Sequence, residues 1–114
     1  MVEDNPRVRK LSIERIRDLG YRTLEAASGD DAYVLLQSGV DVDIVFSDLV
    51  MPGTLNGYDL AAKIRAEFPT VRVLLTSGYA SDVVTSKLGG TSDYEVLHKP
   101  YRQSDLAERL QALL

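Results

Sequence analysis

The chain has 114 residues, which is enough for one core of ordinary size but too few for two separate domains. Its formal charge is -4 and its lysines and arginines are scattered, which argues against a nucleic-acid-binding surface of its own. The absence of cysteine excludes disulfides and thiolate zinc sites, and no apolar run approaches the roughly 18 residues of a membrane span. No signal peptide pattern opens the chain. We therefore expect a single cytoplasmic domain over residues 1–114, without membrane insertion.

Helices and strands are predicted to alternate along the chain. The first helix begins after Asn5, a residue suited to capping, with Pro6 at the first helical position, and it ends at Gly20. A short strand is predicted over residues 21–27, and a second helix follows that Ser28 can cap. The order of elements at this point is helix, strand, helix.

The second half of the chain continues the alternation. Residues 43–48 (DIVFSD) are apolar at consecutive positions, which is typical of a strand that helices cover on both faces. The later predicted elements are a helix over 56–68, a strand over 71–78, a weaker helix over 81–88, a strand over 94–100 and a helix over 103–114. This order predicts right-handed crossovers and a parallel sheet with helices on both faces.

A first strand should precede the first helix, but only Met1 and Val2 stand before Glu3. We expect either that the sequence starts inside this strand, with upstream residues or a partner chain supplying the rest, or that the sheet is short at its middle.

Polar residues follow the predicted strands at their carboxyl ends, where the ligand site of an open parallel sheet lies. Each has a plainer interpretation: Glu3 and Asp4 as solvated acids ahead of the Asn5 cap, Asp48 as a turn residue or cap, Thr76 as a local hydrogen-bonding residue, and Lys99 as an exposed loop lysine. Their coincidence at one edge favours a site. Carboxylates this close need a raised pKa or a cation, and oxygen ligands suit Mg²⁺ or Mn²⁺. The candidate site residues are Glu3, Asp4, Asp48, Thr76 and Lys99.

The segments VEDN, DLVMP, LLTSGYA and HKPY, in this order, resemble the signature set of response-regulator receiver domains of two-component signalling. The resemblance covers essentially the whole chain. It implies a flavodoxin-like α/β/α fold with a five-stranded parallel sheet in the order 2-1-3-4-5, whose first strand is truncated here. It also implies site roles: Asp48 accepts a phosphoryl group, Mg²⁺ is held by Glu3, Asp4, Asp48 and the carbonyl of Val50, and Thr76 and Lys99 contact the phosphoryl oxygens.

The resemblance implies a histidine kinase or a histidine phosphotransfer domain as the partner, and leaves a homodimer open. The segments TSGYA and HKPYR are most similar to receivers attached to hybrid sensor kinases.

Two features depart from the common pattern. The loop between Pro52 and Gly57 carries one extra residue, and Val96 stands where receivers often have an aromatic residue, three positions before Lys99. His98, next to Lys99, is predicted to have a structural or solvated role.

Other classes of protein fit the sequence less well. A haloacid-dehalogenase-type phosphatase also uses a strand-end aspartate, but its D-x-D pattern fails at Val50. A flavodoxin is disfavoured because the acidic EDNP segment stands where a flavin phosphate would lie. The remaining alternative is a receiver fold that acts as an interaction domain without phosphorylation, which the short first strand and Val96 favour. The predicted function is that of a signalling phosphoacceptor rather than an enzyme.

Overall fold

The computed structural model describes residues 1–49, 55–77, 95–98 and 101–114. The predicted helix over 81–88 lies outside these residues. Within the described ranges the order of elements is α1 (Pro6–Asp18), α2 (Gly29–Gln37), β1 (Ile44–Asp48), α3 (Gly57–Glu67), β2 (Arg72–Ser77), β3 (Glu95–His98) and α4 (Gln103–Leu113).

Local side chains set the helix starts that the sequence predicts. The Asn5 side chain accepts hydrogen bonds from the backbone N–H groups of Arg7 and Val8 at 2.9 and 3.2 Å. Ser28 accepts one from the N–H of Asp31 at 3.1 Å. These contacts satisfy amides that the first turn of a helix leaves without a partner, and they confirm the predicted caps.

The strands form a parallel sheet in the order β1-β2-β3. In this register Asp48 pairs with Thr76, and Ser77 pairs with His98. Successive residues of β1 pack on opposite faces, as the continuous apolar run predicts. Val45 packs with buried residues of α2 and α3, while Phe46 packs with buried residues of α1 and α4. The described elements therefore make three layers, with the sheet in the middle.

The expected five-stranded sheet is not found among the described residues. Val2 makes isolated parallel bridges to Ala26 and to Ser47, so it lies between residue 26 and β1. The spatial order agrees with the predicted one, but the pairing involves single residues rather than whole strands. Among the described residues, the strand predicted over residues 21–27 forms only the bridge at Ala26, where backbone hydrogen bonds join Ala26 to Met1 and to Glu3.

A cavity of about 650 Å³ lies next to Met1, on the side of the amino ends of the strands. Residues 20–26 line one wall and residues 40–46 line the opposite wall. The amino group of Met1 donates a hydrogen bond to the carbonyl of Leu24 at 2.8 Å. Among the described helices, none has the length and apolar character that crossing a membrane requires.

Candidate functional site

Asp48 is the last residue of β1, at the carboxyl edge of the sheet. Its N–H donates to the carbonyl of Val2 at 3.0 Å, and the N–H of Leu49 donates to the carbonyl of Thr76 at 2.8 Å. The flanking residues Ser47 and Leu49 are buried. Because the backbone is bonded on both sides and anchored by buried neighbours, the direction in which the half-buried Asp48 side chain leaves the sheet is fixed.

Three carboxylates meet at this edge. Glu3, Asp4 and Asp48 each place one oxygen so that all three oxygens lie within 4.8 Å of one another. Glu3 is only 2% exposed, whereas Asp4 is exposed. Negative charges this close repel each other, and an oxygen-preferring cation relieves the repulsion. The structure therefore brings together the acidic residues that the sequence predicts, in an arrangement that could hold a metal ion.

The start of α1 holds Glu3 and Asp4 in place. The Glu3 carboxylate accepts a hydrogen bond from the N–H of Asp4 at 3.0 Å. Arg9, in the first turns of α1, donates to the backbone carbonyl of Glu3 at 2.8 Å and forms an ion pair with Glu25 at 3.1 Å. The role of Arg9 was not predicted from the sequence, because it depends on how α1 lies against the segment before it.

Thr76 lies beside Asp48 on the neighbouring strand. Its side chain is 1% exposed, and its hydroxyl has no hydrogen-bond partner among the described residues. A buried hydroxyl without a partner costs free energy, and most such groups are paired in folded proteins. The pairing of Thr76 with Asp48 leaves this hydroxyl next to the strand end that carries the carboxylate.

Gly57 lets α3 begin directly against the end of β1. A Cβ atom at this position would lie 2.5 Å from the carbonyl oxygen of Asp48 and 2.7 Å from Cα of Leu49. The N–H of Gly57 donates to the carbonyl of Leu49 at 2.8 Å. The Asn-Gly pair signals a helix start in the sequence, but not this close backbone contact. Val50 and Lys99, the other predicted site residues, lie outside the described residues.

This geometry defines the class of the protein. It is a parallel α/β/α domain with an acidic cluster at the carboxyl edge of its sheet. The family model of the response regulator receiver domain matches residues 1–111, and the chain belongs to this family. The resemblance found in the sequence is thereby confirmed.

Two curated relatives differ in the share of their own length that the chain covers. It is 34% identical over 115 residues to the sensor kinase CckA of Brucella abortus (strain 2308), matching all of this chain but 12% of that protein. It is 31% identical over 119 residues to the chemotaxis protein CheY1 of Helicobacter pylori (strain J99), matching all of this chain and 94% of the relative. The chain thus corresponds to a small part of one relative and to nearly all of the other.

Solved structures agree with this assignment. The receiver domain from the hybrid histidine kinase CckA is 31% identical, with a TM-score of 0.77 over 99% of this chain and 94% of that one. A response regulator receiver domain protein from Clostridium thermocellum has a TM-score of 0.84 over 98% of this chain and 89% of that one. At 22% identity, this second similarity supports the fold alone.

Proposed function

We propose that the domain is a phosphoacceptor, and that Asp48 receives a phosphoryl group from a phosphohistidine of a partner protein. The observation that carries the proposal is the meeting of three carboxylates at the end of β1, beside a buried Thr76 hydroxyl that has no partner among the described residues. Such a site has both a nucleophile and a hydroxyl that is available to an incoming oxyanion.

The proposed reaction is a displacement at phosphorus. An oxygen of the Asp48 carboxylate forms a bond to phosphorus, the bond between phosphorus and the imidazole nitrogen breaks, and the leaving imidazole takes a proton from solvent. The fixed backbone of Asp48 supports this role because an oriented nucleophile loses less freedom on reaching the reactive geometry. The Thr76 hydroxyl would donate to a phosphoryl oxygen. Lys99, which follows β3 by one residue, would contact the phosphoryl oxygens with its ammonium group.

Glu3, Asp4 and Asp48 would hold Mg²⁺, together with the backbone carbonyl of Val50 that the resemblance implies. The donor set fits this ion, since Mg²⁺ prefers hard oxygen ligands and is commonly bound by one or two carboxylates with water. When bound, Mg²⁺ would supply positive charge that stabilises the phosphoryl oxygens during transfer. Arg9 would help to keep the Glu3 end of the site in place through its bond to the Glu3 carbonyl.

The proposed partner is a histidine kinase or a histidine phosphotransfer domain. The similarity to the sensor kinase CckA supports a setting within a hybrid kinase, although the chain matches only 12% of that relative. A cytoplasmic location, a homodimer and the absence of nucleic-acid binding remain predictions from the sequence.

A small phosphodonor tests the proposal directly. The chain is incubated with phosphoramidate and Mg²⁺ and its intact mass is measured. We expect one added phosphoryl group on the parent chain and none on Asp48→Asn. Asp43→Asn is the matched control, because Asp43 is exposed next to the opposite end of β1. Labelling of Asp48→Asn would refute the assignment of Asp48. A folded parent chain that stays unlabelled would favour the alternative of an interaction domain without phosphorylation.

A further inference from the structure

Both backbone groups of Glu3 form hydrogen bonds. Its N–H donates to the carbonyl of Ala26 at 3.1 Å, and its carbonyl accepts from Nη1 of Arg9 at 2.8 Å. The residue is buried, and its carboxylate accepts from the N–H of Asp4 at 3.0 Å. The direction in which the Glu3 carboxylate points into the acidic cluster therefore depends on these backbone contacts.

Arg9 extends from α1 to Glu3, and Glu25 binds a second edge of the Arg9 guanidinium. Nε of Arg9 donates to Oε1 of Glu25 at 3.1 Å, while Nη1 of the same group donates to the Glu3 carbonyl. A guanidinium is planar and rigid, so a bond at one of its nitrogens fixes the directions of its other N–H groups. Glu25 therefore orients Arg9 toward Glu3.

These contacts form a closed circuit of four residues. In order around the circuit, the members are Glu3, Arg9, Glu25 and Ala26. Glu25 and Ala26 are neighbours in the chain, and the other three links are the hydrogen bonds given above. Because Glu3 also contributes an oxygen to the acidic cluster, the circuit connects Glu25 to the candidate metal site through direct contacts.

The ion pair in this circuit is open to solvent. The side chain of Glu25 is 59% exposed and that of Arg9 is 17% exposed. Exposed ion pairs add little to folding stability, because water and salt weaken the attraction and two long side chains lose freedom. Its effect should therefore be sought in the orientation of Glu3 rather than in the stability of the domain.

We propose that Glu25 is a positioning residue for the metal site, and that it acts through Arg9 on Glu3. The inference rests on the proposed function, in which Glu3 helps to hold Mg²⁺. Residues that orient a metal ligand raise metal affinity, because the ligand has less freedom to lose when the ion binds. Charge alone predicts the opposite sign for Arg9, since a cation beside the site repels Mg²⁺. The effect of removing Arg9 therefore distinguishes positioning from charge.

A double-mutant cycle on Mg²⁺ affinity tests the proposal. The affinity is measured from backbone amide NMR shifts during Mg²⁺ titration at constant ionic strength, for the parent, Arg9→Met, Glu25→Ala and the double variant. We expect Arg9→Met to weaken binding by about tenfold and Glu25→Ala by about threefold or more. The double variant should match Arg9→Met within about twofold, because Glu25 acts through Arg9. Glu25→Gln keeps an oxygen acceptor for Arg9 and should stay within about twofold of the parent.

Arg17→Met is the matched control. Arg17 lies on the same helix and donates to the Thr23 hydroxyl at 2.8 Å, so it ties α1 to the same segment at a point away from Glu3. Its loss should leave Mg²⁺ affinity within about twofold of the parent. A second measurement needs no metal: the Asp4 amide, which donates to the Glu3 carboxylate, should exchange faster in deuterated water in Glu25→Ala than in the parent.

The outcomes separate this inference from the proposed function. Tighter or unchanged Mg²⁺ binding in Arg9→Met, unchanged binding in Glu25→Ala, or equal weakening by Glu25→Ala and Glu25→Gln would overturn the inference and leave the proposed function intact. A parent chain that binds no Mg²⁺ would also overturn the inference. If that parent chain took no phosphoryl group from phosphoramidate either, the proposed function would fall with it.

Discussion

Thr76 and Ser47 are neighbouring buried hydroxyl residues with different surroundings. The Ser47 hydroxyl donates to the carbonyl of Asp48 at 2.9 Å, whereas the Thr76 hydroxyl has no partner among the described residues. A valine would fill nearly the same space as Thr76 without burying a polar group. Without a partner, this hydroxyl would cost stability relative to valine, as expected for a residue with the binding role proposed for Thr76.

Thr76→Val should accordingly stabilise the fold while it impairs phosphorylation. We expect the free energy of unfolding in urea to rise by about 1 kcal/mol, because a buried unpaired hydroxyl is removed. The yield of phosphorylated protein should fall, since a donor to the phosphoryl group is lost. Thr23→Val serves as the control, because the Thr23 hydroxyl accepts a hydrogen bond from Arg17 at 2.8 Å and its loss should not stabilise. A clear loss of stability in Thr76→Val with normal phosphorylation would contradict this account.

At the scale of single residues, the sequence predicts the acidic cluster but not the contacts that hold it. Glu3, Asp4 and Asp48 could be placed together because the carboxyl ends of parallel strands share one edge. The bond from Arg9 to the Glu3 carbonyl and the packing of Gly57 on Asp48 depend on the angle and depth at which each helix meets the sheet. No pattern of residue types specifies these distances.

At the scale of elements, the contact between α3 and β1 depends on a missing side chain. Gly57→Ala would place a methyl group 2.5 Å from the Asp48 carbonyl oxygen and 2.9 Å from that of Leu49, and both are backbone atoms that cannot move aside easily. We expect a loss of about 2 kcal/mol or more in the free energy of unfolding. Ala66→Gly, at an exposed position in the same helix, should cost only about 0.5–1 kcal/mol. Both variants are measured by urea titration. Equal losses in the free energy of unfolding would show that the close contact is relieved at little cost.

The sequence predicts elements well where local signals determine them. The caps at Asn5 and Ser28 are read directly from side chains, and the apolar runs of β1 and β2 mark strands that helices cover. The segment over residues 21–27 has a strand-like composition, but strand formation also requires a neighbour along its length. Among the described residues, Met1 and Glu3 bond to backbone groups of Leu24 and Ala26, and the rest of that segment is irregular.

At the scale of the whole molecule, the amino group of Met1 links stability to pH. Burial lowers its pKa from 8.0 to about 6, although the nearby Glu25 carboxylate acts in the opposite direction. Between these values the unfolded chain binds more protons than the folded one, so stability rises with pH. We expect the free energy of unfolding of the 114-residue chain to increase by about 2 kcal/mol from pH 6 to pH 8. Chemical denaturation at a series of pH values measures this change.

An Nα-acetylated chain is the control for that measurement, because acetylation removes the titrating amine. The increase attributable to Met1 should disappear in the acetylated chain. An equal increase with and without the acetyl group would assign the pH dependence to other groups.

The two edges of β1 bond to different neighbours, and this difference bears on the hydrogen exchange of the strand. Hydrogen bonds from Arg72 to Asp43 and from Leu49 to Thr76 show that the odd-numbered residues of β1 direct their backbone groups toward β2. The even-numbered residues direct their backbone groups toward Met1 to Glu3, where the Asp48 amide donates to the Val2 carbonyl. In deuterated water, exchange of the Asp48 amide should therefore report the opening of the contact with Val2, whereas exchange of the Leu49 amide should report the separation of β1 from β2.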